Sequence, residues 1–268
     1  MSSLNLTTHR SETFINQKIQ LYGVSIDAVR MSDATAQVFD WIEHPDGQCH
    51  YVVTPNVDHT VMLQENSGLR DVYEDASLVL ADGFPVVLAA RLLRKALPGR
   101  VAGSDLVPAL CEEANQKGKL LSLFLLGAMP GVAERAKANI EQRWPAAEVT
   151  GLYSPPLGFE NDDAENAKIL AMIADAQPDV LVVGLGAPKQ ELWVHTHRDD
   201  IAAPVALCVG ATIDFLAGEK KRAPFWMQKT GLEWLHRVAS EPKRLARRYA
   251  RDAWIFPQLV WREWLSIR

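Results

Sequence analysis

Short apolar runs alternate with helix-length segments along most of the chain. HYVVT (50–54), SLVLA (77–81), LSLFLLG (121–127), EVTGLY (148–153), DVLVVGLG (179–186) and VALCVG (205–210) are brief and dense in Val and Leu. Strands buried on both faces read this way, because neither face needs polar positions. Between them, segments 58–75, 84–95, 104–118, 130–143, 163–176 and 188–198 predict helices. Upstream, KIQLYGVSIDAV (18–29) predicts a strand or hairpin, and 32–43 a helix. This alternation predicts an α/β layered domain whose mostly parallel sheet is flanked by helices.

The C-terminal stretch breaks the pattern. From Lys243 onward, a helical wheel puts Arg244, Arg247, Arg248 and Arg251 on one arc of about 100° and Leu245, Tyr249, Ala253 and Phe256 on another. Pro257 then predicts the start of a separate last segment, PQLVWREWLSI. Charge sharpens the contrast. The chain carries a net charge of −5 overall, yet residues 219–268 hold twelve Lys/Arg against five Asp/Glu, and five of the eight tryptophans. A basic, Trp-rich tail on an acidic body points to an anionic surface and away from nucleic acid. Three readings stay open for the arginines: a solvated helix face, a membrane-surface helix, or a comb over a diphosphate.

Composition adds only bounds. With 268 residues, 48% hydrophobic, the chain can bury a core without staples. Cys49, Cys111 and Cys208 are scattered, as in a reducing compartment. The first residues lack the apolar core of a signal peptide, and no apolar run reaches the ~18 residues of a membrane span. A cytosolic chain is expected.

In open α/β sheets, ligands collect beyond the carboxyl ends of the strands. There the sequence places Thr54-Pro55-Asn56, Asp82-Gly83, Gly127 with AMPG, Gly184-x-Gly186 with PKQE, and Gly210 with ATIDF. Glycines between strand and helix let a backbone approach a diphosphate at a helix N-terminus. They also serve as ordinary turns, and no G-x-G-x-x-G is complete because position 189 is Lys. Asp82 fits a general base or a common Asp-Gly turn. Thr54 and Asn56 fit helix caps or sugar ligands. Gln190 fits a pocket wall or a solvated first helical turn. His195 and His197 lie about 200° apart on a helix and cannot share an ion. No metal and no cofactor is expected.

VGLGAPKQELW, VGATIDFLAGEKKRAPFWMQKTGLEWLHRVASEPKRLARRY, VVTPN and LADGFPVV together, in order and spacing, resemble the WecG/TagA/CpsF family of bacterial glycosyltransferases over roughly residues 20 to 252. The resemblance implies a Rossmann-like catalytic domain, residues 1–218, and a basic helical appendage, residues 219–268, that helps close the site and reach the membrane. It implies an inverting, metal-independent transfer of a hexose from a UDP-sugar to a polyprenyl-diphosphate-linked saccharide, peripherally at the cytosolic face of the inner membrane. Residue by residue, Asp82 matches the catalytic base, and Thr54, expected to act with it in catalysis, matches a pocket residue near the acceptor and the transferred sugar. Asn56, Arg100, Gln190, Arg237, Arg244 and Arg247 match substrate-binding positions, and Gly184, Gly186 and Lys189, in the turn that holds Gln190, are expected to bind substrate with them. Ala211 departs from the family, where many members have glycine. The sugar transferred, the acceptor saccharide, the pathway and any homo-oligomer stay open. Two other classes compete: an NAD-dependent oxidoreductase, which would leave the basic tail unexplained, and a non-catalytic sugar-nucleotide-binding protein, to which loss of Asp82 would not matter.

Overall fold

The computed structural model describes residues 17–268; the side chains of Phe225, Gln228, Lys229 and Arg244 lie outside the described residues, as does the N-terminal stretch read as lacking a leader. A hairpin, β1 (Lys18–Leu21) and β2 (Val24–Asp27), leads into α1 (Met31–Glu43). Then come β3 (His50–Val53), α2 (Val57–Glu65), α3 (Ser67–Glu74), β4 (Leu78–Val79), α4 (Phe84–Leu92), α5 (Gly103–Lys117), β5 (Leu121–Gly127) and α6 (Val132–Arg143). Next are β6 (Ala147–Tyr153), α7 (Asp163–Ala176), β7 (Val180–Gly184), α8 (Lys189–His197), β8 (Val205–Cys208) and α9 (Thr212–Leu216). The chain ends in α10 (Phe225–Thr230), α11 (Glu233–Ser240) and α12 (Pro242–Ser266).

Strands β3 to β8 form one sheet in the order β4-β3-β8-β7-β5-β6, with every neighbouring pair parallel. The mixed α/β class and the flanked parallel sheet are as the alternation predicts. Both faces are buried because successive side chains point to opposite sides. Tyr51, Val53, Val79, Leu181, Val183 and Cys208 enter one core. Val52, Leu78, Val180, Val182, Val205 and Leu207 enter the other. The hairpin is tied to the sheet edge by Asp27, whose Oδ2 accepts from the Val79 N–H at 2.8 Å.

Two predicted elements differ. The single helix over 58–75 is two helices, because Asn66 turns extended and its Oδ1 accepts from the Leu69 N–H at 3.0 Å, capping α3. The predicted break at Pro257 does not occur; α12 runs through it for 25 residues. An interior proline costs a helix ~3 kcal/mol. Phe256 and Leu259 flank it and are buried in the first core, each contributing ~1.5–3 kcal/mol. Packing on the body therefore outweighs the local penalty.

Candidate active site

Strands β3 and β4 are neighbours, so their carboxyl ends present Thr54-Pro55-Asn56 and Asp82-Gly83 side by side. The Leu80 N–H donates to the Val53 carbonyl and the Asp82 N–H to the Pro55 carbonyl, both at 2.9 Å, carrying the ladder past β4. Gly83 has φ +111°, a conformation that other residues rarely adopt, and it turns the chain directly into α4. Asp82 is thus fixed between a strand end and a helix start.

In front of it lies a cavity of about 380 Å³, within the range of small-molecule sites. The body contributes Asn56, Asp58, Asp82, Phe84 and Arg100; α11 and α12 contribute Glu233, Trp234, Arg237, Arg248, Tyr249 and Asp252. The C-terminal helices are therefore one wall of the cavity.

Charges cross between these walls. The Arg100 Nη1 lies 3.8 Å from the Asp82 carboxylate and 3.3 Å from Glu233, and its Nη2 donates to Asp105 at 3.0 Å. Arg237 donates to Glu233 at 2.9 Å, and its Nε has no hydrogen-bond partner among the described residues. Burial raises the Asp82 carboxyl above its ordinary value, against the opposing pull of Arg237 and Arg100. A carboxylate raised in this way, in a cleft, is better suited to accept a proton.

The other sequence-predicted residues separate into groups. Asn56, Asp82, Arg100 and Arg237 come together in the cavity. Thr54 is buried behind them, its hydroxyl donating to the Cys208 carbonyl at 3.2 Å. Gln190 is only 2% exposed. Its Oε1 accepts from the Gly186 and Gly210 N–H groups at 3.2 Å, and its Nε2 donates to Glu191 at 2.8 Å. It braces the turns after β7 and β8. Gly184 serves close packing: a Cβ there would meet the Gly210 carbonyl at 2.9 Å. Gly186 holds φ +82° in open space. Lys189 lines a separate depression and pairs with Glu160 at 2.8 Å. Arg247 is exposed and lies outside the cavity wall, and the Arg244 side chain is not among those described.

Gln190 nevertheless connects to the cavity. The Glu191 Oε1 that accepts from Gln190 also lies 3.3 Å from the His59 Nε2, and the His59 Nδ1 is 2.9 Å from the Asn56 Oδ1. Burial opposes charge on His59, but Glu191, Asp58 and Asp82 together raise its pKa. A buried polar chain thus joins the glycine turns to Asn56.

Sequence reasoning missed Asp58, Glu233, Arg248 and Asp252 as cavity residues. The signal for Arg248 was present in the arginine arc, four residues before Asp252. For the carboxylates there was none, since Arg248 and Arg251 of α12 meet Asp58 of α2 across nearly the whole chain, at 3.3 and 3.0 Å.

Residues 19–268 match the glycosyl transferase WecG/TagA/CpsF family. The match runs through the last fifteen residues, which the sequence motifs did not reach. Among curated relatives, the N-acetylglucosaminyldiphosphoundecaprenol N-acetyl-beta-D-mannosaminyltransferase of Staphylococcus aureus strain MW2 is 29% identical over 230 residues, 86% of this chain and 87% of the relative. The protein of the same name from strain NCTC 8325 / PS 47 shows the same identity and coverage.

Proposed function

The chain belongs to the WecG/TagA/CpsF family of glycosyl transferases, and from that premise we propose that it moves a neutral hexose or N-acetylhexosamine from a UDP-sugar to a saccharide carried on a polyprenyl diphosphate, with inversion. The observation that carries this reading is Asp82. Its carboxyl is raised by burial and faces Arg100 and Arg237 in a cavity that the C-terminal helices close.

The step is a single displacement. An acceptor hydroxyl attacks the anomeric carbon on the face opposite the leaving group. Its proton passes to the Asp82 carboxylate. The bond from the anomeric carbon to the diphosphate breaks, and its electron pair leaves with UDP. Arg237, whose Nε is buried without a partner among the described residues, supplies a charge-assisted hydrogen bond to the departing diphosphate. Arg100 stays beside Asp82 and favours its ionised, proton-accepting form. The carboxylates of Asp58, Asp82, Glu233 and Asp252 outnumber the guanidiniums of Arg100, Arg237 and Arg248 in the cavity wall. The hydroxyls of a neutral sugar can donate hydrogen bonds to these carboxylates. The basic, Trp-rich tail would hold the enzyme peripherally on an anionic leaflet, where a lipid-linked acceptor resides.

The test is UDP release over a panel of UDP-sugars with a short polyprenyl-diphosphate sugar as acceptor. Acceptor-dependent release with one neutral donor is expected, and its loss in Asp82→Asn. Absence of release with every donor would defeat the transferase reading, and preference for a uronate donor would defeat the neutral sugar.

A further inference from the structure

Asp252 is 2% exposed, yet it forms part of the cavity wall. Its Oδ1 lies 3.5 Å from the Arg251 Nη2, and its Oδ2 has no hydrogen-bond partner among the described residues. One turn back on α12, Arg248 also lines the cavity. Its Nη1 pairs with Asp58 at 3.3 Å, and its Nε is buried with no partner among the described residues. A buried acceptor and a buried donor left unpaired are each costly, and both belong to side chains that line the cavity, where a ligand can supply the missing partner. A neutral hydroxyl meets both needs, donating to the carboxylate and accepting from the Nε–H.

We propose that Asp252 and Arg248 form a subsite for the acceptor saccharide, with a sugar hydroxyl donating to the Asp252 Oδ2 and accepting from the Arg248 Nε–H. The subsite rests on the transferase reading and adds to it the place of the acceptor sugar. The subsite shares its cavity both with Asp82, which must reach the attacking hydroxyl of the acceptor, and with Arg237, assigned to the donor diphosphate, so its place on α12 decides between the two. The far side of α12 carries the exposed Trp254, Trp261 and Leu265. Trp254 is about 200° from Asp252 around the helix. The helix thus turns a polar notch to the cavity and an apolar ridge outward, and a lipid-linked sugar needs both at once.

The wall keeps this carboxylate at a cost. Burial, and then the Asp58 carboxylate, push the Asp252 carboxyl up to about 6. A carboxyl raised in the fold stabilises it at low pH and loses that contribution as pH rises through the folded value. Replacement by a neutral isostere at pH 7.5 therefore relieves the fold.

The experiment compares wild type, Asp252→Asn and Asp252→Ala at pH 7.5, reading acceptor KM, donor Kd by calorimetry and Tm. The expected result is an acceptor KM raised tenfold or more in both variants, a donor Kd within twofold of wild type, and a Tm for Asp252→Asn equal to or above that of wild type. A Tm that holds or rises while acceptor binding fails is the signature of a ligand site, which a purely structural residue would not give. Acceptor KM within twofold of wild type in the folded Asp252→Asn enzyme overturns the subsite and leaves the transferase standing. A weakened donor Kd with unchanged acceptor KM overturns the assignment to the acceptor. Absence of transfer by wild type with every donor overturns the transferase and the subsite together.

Discussion

Asp82 and Gln190 look alike in the sequence, each a polar residue just past a strand, and the structure puts them to different uses. Asp82 faces the cavity, so Asp82→Asn keeps the shape and removes the proposed base; turnover is expected to fall by roughly 10²–10⁴-fold. A loss below tenfold would move the base elsewhere. Its pH signature comes from the raised carboxyl. The base works ionised, so kcat/KM falls as pH drops through its folded pKa, and the acid limb is displaced upward from where an exposed aspartate would put it. That limb should vanish from the residual activity of Asp82→Asn. Gln190 is a brace, hydrogen-bonded to Gly186, Gly210 and Glu191. Gln190→Ala leaves the part-buried Gly186 and Gly210 N–H groups without their acceptor and removes a donor from the buried Glu191, at a cost of ~1–3 kcal/mol for each group that water fails to reach. A denaturant midpoint shifted to lower concentration is expected; an unshifted midpoint with lost activity would instead place Gln190 directly against the ligand.

Strands were readable as elements because a buried parallel strand has no polar face, and HYVV or VLVVG admits few other readings. Where one element ends was harder to read. Asn66 separates α2 from α3 with a side chain that caps the start of α3, which resembles any asparagine in a polar stretch. Pro257 misled in the other direction, since local propensity forbids what tertiary packing enforces through Phe256 and Leu259. α12 therefore carries a locally unfavourable residue in its interior. Pro257→Ala restores the N–H to the helix and is expected to raise stability by up to ~3 kcal/mol, seen as a higher Tm. A lowered Tm would show that α12 needs the shape the proline imposes. The site was legible at the strand ends, Asn56 and Asp82, because a parallel sheet brings the carboxyl-end turns of neighbouring strands together, while Arg100, in the loop before α5, was legible only through the family resemblance. Of the half built from α11 and α12, only Arg237 was legible, through the family resemblance. Arg251 meets Asp58 across 193 residues, and nothing in the spacing of either residue announces the other.

The same C-terminal helices that close the cavity also carry the opposite charge to the rest of the chain. Twelve Lys/Arg against five Asp/Glu in residues 219–268 give this part a positive excess on an otherwise acidic protein. Trp254, Trp261 and Leu265 fall within about 40° of one another on α12, and all three are exposed, Trp254 at 75%. Interfacial helices combine an apolar edge of this kind with basic neighbours, and no helix among the described residues is long and apolar enough to cross a membrane. Each basic residue held near an anionic leaflet contributes about 1 kcal/mol, and the Debye length falls from ~30 Å at 0.01 M salt to ~8 Å at 0.15 M. Binding to phosphatidylglycerol vesicles is therefore expected to weaken steeply with salt and to be weak on phosphatidylcholine vesicles at every salt concentration. Trp254→Ala together with Trp261→Ala should weaken it further while leaving turnover of a short-chain acceptor near wild type, since neither ring lines the cavity. If the double variant bound vesicles as wild type does, the apolar ridge would have another occupant, and the charge alone would account for attachment. If vesicle binding ignored salt, the asymmetry of charge would have nothing to do with the membrane.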